Sequence, residues 1–164
     1  MELIHTNYKI GEDATQLLEV TSNIIKEFYE KEVQLKDGVM EWLGHCKNNG
    51  VKMCIVSATT PDLIEIALKH CDIDKYFEKI FSCGVIGKGK DQPDIYLLAQ
   101  EYLGSTTDEI WVFEDSLLAI ETATKIGMKT VGIYDKYNFG QQQIKKIATE
   151  YIAEGEKLTK LISE

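Results

Sequence analysis

Ile110-Trp111-Val112-Phe113-Glu114-Asp115-Ser116 sets four apolar residues directly before two carboxylates and a hydroxyl. A continuous apolar run of this kind predicts a strand buried on both faces of a sheet. Open parallel sheets bind ligands at the carboxyl ends of their strands, which is where Glu114 and Asp115 fall. The helical pattern that follows starts at Ser116 and ends at Gly127, with Leu117, Ile120 and Ala123 on one face. Asp115 or Ser116 could equally serve as the cap of that helix, so the stretch alone leaves the role of its acids open.

Outward from this stretch, strands and helices alternate. Val51–Ser57 (VKMCIVS) reads as a strand, and Thr60-Pro61-Asp62 opens a helix with Leu63, Ile66, Ala67 and His70 on one face. Residues 79–83 (KIFSC) predict a short strand, followed by the polar loop 87–93. A helix spans 94–103 and ends at Gly104, and Thr106 caps a turn into the Ile110 strand. Residues 129–135 predict a further strand, 141–152 a helix, and 156–163 a last short element of open type. Upstream, Asp13 caps a helix running to Lys31, with Leu17, Leu18, Thr21, Ile24, Ile25 and Phe28 at helical spacing. A second helix carries Val39, Trp42, Leu43 and Cys46 and stops at Asn49-Gly50. The pattern implies an α/β, Rossmann-like parallel sheet with helices on both faces. Residues 1–34 form a helical layer apart from the core at 35–164.

The chain has 164 residues and a net charge of −9, and all 18 basic residues are Lys. An acidic chain without Arg is a poor fit to nucleic acid, and no stretch reaches membrane-spanning length. Any phosphate must be met by Lys, backbone N–H groups or a metal. Cys46, Cys54, Cys71 and Cys83 have neither zinc nor disulfide spacing, and Cys54 reads as a buried thiol. With no signal-peptide pattern, a cytoplasmic setting is expected. His5, His45 and His70 are solitary and receive no role.

Ser57, Lys90 and the Glu114-Asp115 pair should share one edge of the sheet. A hydroxyl and an ammonium suit non-bridging phosphoryl oxygens, and the carboxylates suit Mg2+.

Three segments, SATTPDLIEIALK, GKGKDQPDIYLLA and WVFEDSLLAIETATKIGMKTVGIYD, in this order and spacing, resemble haloacid dehalogenase-like hydrolases. They are most similar to the phosphatases of the beta-phosphoglucomutase-like group. The resemblance covers roughly residues 35 to 153, with a weaker match of the first helix to the family's helical cap. It implies that Ser57 hydrogen-bonds the transferring phosphoryl group and that Ala58 and Thr59 line the substrate pocket. It implies that Lys90, three residues before Pro93, steadies the phosphoryl charge, with Lys88 as the competing candidate. It also implies that Asp115, with Glu114, binds Mg2+. Ala119 stands where many relatives carry Gly.

The family's nucleophile lies in a first-strand Asp-x-Asp, whose first Asp attacks phosphorus and whose second acts as general acid and base. Here the only Asp-x-Asp is Asp72-Ile73-Asp74, which follows a helix and reads as a connecting turn. The family's central strand is therefore expected to be missing. That leaves a gap of roughly 10 Å, about two strand spacings, or two unpaired inner edges. A companion peptide, a second copy in a homo-oligomer, or Met1–Thr6 would fill it. Glu2 and His5 make Met1–Thr6 the poorest fit.

Two functions are carried forward. One is a Mg2+-dependent phosphatase of small phosphorylated metabolites that takes its nucleophile motif from another segment. The other is a catalytically incomplete relative that binds phosphate or a partner. A receiver-like signalling domain fits less well, because no acidic strand end precedes Ser57.

Overall fold

The structure, a computed structural model, describes residues 14–162. Two parallel sheets form its centre. The first pairs β1 (Ile55–Ser57) with β2 (Ile80–Ser82), Ser57 lying opposite Ser82. The second has β4 (Lys129–Ile133) between β3 (Trp111–Glu114) and β5 (Glu150–Ile152). Among the described residues no strand joins β1 to β3, so each keeps one unpaired edge. Met1–Thr6 and the Asp13 cap lie outside the described residues.

Helices hold the two sheets together from both sides. Ile95 and Tyr96 of α5 (Asp94–Leu103) pack with Val56 and Phe81 of the first sheet, and with Ile110 and Val112 leading into and along β3. On the opposite face, α2 (Val39–Asn48) sets Leu43 against Ile55, while Trp42 lies 5.7 Å from the Phe113 ring. Val56 and Val112 alternate with Ile55 and Phe113, as pleated strands require. Apolar burial on both faces therefore bridges a break in the hydrogen-bonded ladder.

The remaining helices are α1 (Ala14–Lys31), α3 (Pro61–His70), α4 (Cys83–Ile86), α6 (Leu117–Lys125) and α7 (Gln141–Ile147). Helix α1 packs along α3 yet leaves Val20, Ile24, Ile25 and Phe28 exposed. A final 3-10 turn, Leu158–Ile162, packs against α2. Gly38 allows this approach: its φ is +79°, and a Cβ there would stand 3.0 Å from the backbone nitrogens of Leu158 and Thr159.

Several expectations need correction. The first strand begins at Ile55, not Val51: β2 offers its first partner only where Ile55 N–H meets Lys79 C=O, and the Val51 N–H still bonds the end of α2. The central strand is not buried on both faces. Trp111, at the start of the strand, is exposed, and Val112 and Phe113 are half-buried beneath the helices on the two faces. Helix α3 buries Ile64 and Leu68, with Leu63, Ile66 and Ala67 only half-buried and His70 exposed. Cys46 is the buried thiol, whereas Cys54 is half-buried. Residues 141–152 are not one helix. Thr130 and Thr149 exchange hydrogen bonds, each backbone N–H meeting the other's Oγ1, at 3.1 and 3.3 Å. That clasp turns the chain after Ile147 into β5.

Candidate active site at the strand ends

The loop after β2 and α4 brings Lys90 to the carboxyl end of β3. There its ammonium pairs with Glu114 Oε1. This contact fixes the carboxyl ends of β2 and β3 on one edge of the molecule. Glu114 is buried, and its second oxygen accepts the backbone N–H groups of Asp115 and Ser116 at 3.0 and 3.1 Å. Glu114 therefore organises the start of α6 from one residue inside the strand. Neither Asp115 nor Ser116 makes a side-chain cap bond to that helix.

Asp115 is half-buried beside this carboxylate. Burial, and then the Glu114 charge, pushes its carboxyl above the usual aspartate range. Asp135, just past β4, adds to the same effect. Lys36 offsets Asp135 by an ion pair of 2.9 Å and a 3.1 Å bond to the Tyr134 carbonyl. Beneath the site, burial raises the Tyr96 phenol far above its ordinary range, so it stays neutral and donates to the Ala119 carbonyl at 3.5 Å. Ala119 is fully buried in this contact region.

Ser57 ends β1. It makes no hydrogen bond to Lys90, Glu114 or Asp115; its Oγ accepts the Thr59 N–H at 3.1 Å. Ala58 and Thr59 form the turn into α3. Lys88 points elsewhere, to Gln92 Oε1 at 3.2 Å and Asp94 at 3.8 Å. Asp72-Ile73-Asp74 lies after α3, with Asp72 at φ 55° and paired to Lys75, so it is a connecting turn and carries no strand-borne acid. Among the described residues no three His, Cys, Asp or Glu side chains gather as a metal site. No described helix is long and apolar enough to cross a membrane.

The haloacid dehalogenase-like hydrolase family model matches residues 2–133. The chain belongs to this family. Among its relatives, the phosphorylated carbohydrates phosphatase of Thermotoga maritima is 28% identical over 117 residues, covering 71% of this chain and 54% of that protein. The phosphoglycolate phosphatase of Salmonella paratyphi A is 27% identical over 103 residues, 63% of this chain and 41% of the relative. The chain spans about half the length of the curated relatives it matches. The haloacid dehalogenase-like protein of Agrobacterium tumefaciens superposes with a TM-score of 0.76 at 23% identity, over 98% of this chain and 74% of that one. That likeness establishes the family's Rossmann-like fold.

Two polar residues of this family member were given no part in the sequence reading. Ser82 was legible only as the end of a strand, and its register with Ser57 needed the pairing of β1 with β2. Asp135 stood at a predicted strand end, but nothing in the sequence linked it to Lys36, 99 positions away.

Proposed function

We propose that this edge is the phosphoryl-handling half of a Mg2+-dependent phosphatase acting on small phosphorylated metabolites. The attacking carboxylate enters on a further strand between β1 and β3. Ser57 and Lys90 hold non-bridging phosphoryl oxygens, with Ala58 and Thr59 beside the substrate. Residues 1–34 act as the remnant of a helical cap over the core at 35–164, and the protein works in the cytoplasm.

The Lys90–Glu114 pair at the carboxyl end of β3 carries this reading. It sets a cation and two acids at the end of β3, whose other edge pairs with no strand among the described residues. Asp115 is the residue whose chemistry fits Mg2+: its carboxylate offers hard oxygens, and burial first and the Glu114 charge second raise its carboxyl, while Glu114 stands behind it with one oxygen on Lys90 and the other on two backbone N–H groups. Further ligands come from water and from the entering strand. When bound, the ion supplies positive charge against the phosphoryl oxygens.

The test is hydrolysis of an aryl phosphate with Mg2+, by the chain alone and with a peptide bearing an apolar run that ends in Asp-x-Asp. Turnover that disappears in Asp115→Ala and Lys90→Ala supports the phosphatase. No turnover under either condition favours the second reading, a phosphate- or partner-binding relative, for which the unpaired edges of β1 and β3 speak.

A further inference from the structure

Ser82 is 3% exposed at the end of β2, in register with Ser57 on β1. Its hydroxyl donates to the Thr59 carbonyl at 2.9 Å. The Thr59 N–H in turn donates to Ser57 Oγ at 3.1 Å. The two bonds share one residue, so the turn after β1 is pinned from the neighbouring strand. A buried hydroxyl that lost its partner would be costly, which keeps Ser82 in this bond. Ser57 Oγ accepts from Thr59, and among the described residues its own O–H donates to nothing. It is left as a donor at the strand end with one side of its oxygen already committed.

We propose that Ser82 is a positioning residue for phosphoryl binding. Through the backbone of Thr59, whose C=O and N–H lie in successive peptide planes, it fixes the turn that gives Ser57 Oγ its N–H donor and so favours the rotamer that presents the Ser57 proton outward. The inference rests on Ser57 being a phosphoryl contact. Ser82 itself touches no substrate. Without it the Thr59–Thr60 peptide loses its tether, the Thr59 dihedrals loosen, the N–H donor to Ser57 shifts, and the Ser57 side chain samples its three staggered wells. The expected cost is about three- to tenfold in affinity for the group Ser57 holds, the scale of one hydrogen bond or one rotamer choice.

The experiment compares the parent chain with Ser82→Ala, Ser82→Thr and Ser57→Ala. It reads hydrogen exchange at the Thr59 amide and the affinity for inorganic phosphate in the presence of Mg2+. Ser82→Ala is expected to speed Thr59 exchange about tenfold and weaken phosphate about three- to tenfold, and Ser82→Thr to restore both. Ser82→Cys, close in volume but a weak donor, replaces the Ala variant should that one fail to fold. Unchanged Thr59 exchange and unchanged phosphate affinity in Ser82→Ala, with binding abolished by Ser57→Ala, would overturn the positioning role alone. A parent chain that binds no phosphate with Mg2+, either alone or with the peptide bearing Asp-x-Asp, overturns the phosphoryl reading of Ser57 and the proposal with it.

Discussion

Lys90 pairs with one oxygen of Glu114 while the other oxygen accepts the N–H groups of Asp115 and Ser116. One buried carboxylate therefore joins the β2–α5 loop to the start of α6. Removing the cation leaves that carboxylate buried with only its amide partners. Lys90→Met should cost about 2–3 kcal/mol, less than a fully buried pair because Lys90 keeps some exposure. Adding Glu114→Gln should recover part of the loss. Urea unfolding of the two single variants and the double variant measures the coupling.

Asp115 is held above its ordinary range by burial and by the Glu114 charge. A carboxyl with a raised folded pKa favours the fold below its unfolded value, and that contribution is lost as pH rises through the folded value. At neutral pH the charged form works against folding. Asp115→Asn should therefore raise the urea midpoint at pH 7, and the advantage should vanish as pH falls below the ordinary value of 3.8. A variant more stable yet unable to support turnover is the behaviour of a site residue.

Ile95 is fully buried in the cluster against which Val56 and Phe81 of the first sheet and Val112 of the second pack. Truncation there opens a cavity beneath the break in the ladder, where no strand pairing compensates. Ile95→Ala should destabilise by about 3–4 kcal/mol. A loss under 1 kcal/mol, read from urea or thermal unfolding, would show that α5 does not bridge the sheets.

Gly132 lies in the middle strand of the larger sheet. A Cβ there would run into Ile144 of α7 and stand 2.9 Å from a ring carbon of Tyr151. Gly132→Ala should cost about 2 kcal/mol by overpacking, and Ile144→Val in the same chain should relieve part of it. Thermal unfolding of both variants checks the pairing.

Where local pattern and tertiary packing agree, the sequence was sufficient. The run into Glu114-Asp115 became β3 and its strand end, and Thr106 caps the turn before Ile110, in a capping box with Glu109. Lys90 lies against Glu114 and Lys88 against Gln92; the preference for Lys90 came from the family resemblance, not from the residues alone. The pattern failed where distant residues decide the outcome. Thr149 leaves the helix because Thr130 meets it from the neighbouring strand. Trp111 is exposed because helix packing does not reach the start of β3, where the Lys129 ammonium lies over its ring, and a hydrophobic run cannot reveal that. Ser82 gains its place only through its register with Ser57.

The central claim is that Ser57, Lys90 and Asp115 await a carboxylate carried on a strand between β1 and β3. Its most direct measurement is Mg2+-dependent turnover of an aryl phosphate by this chain with two peptides, one an apolar run ending in Asp-x-Asp and one with the first Asp changed to Asn. The account predicts turnover with the first peptide, none with the second, and loss of the first activity in Lys90→Ala and Asp115→Ala. Turnover by the chain alone that survives both substitutions, or equal turnover with the two peptides, would contradict it.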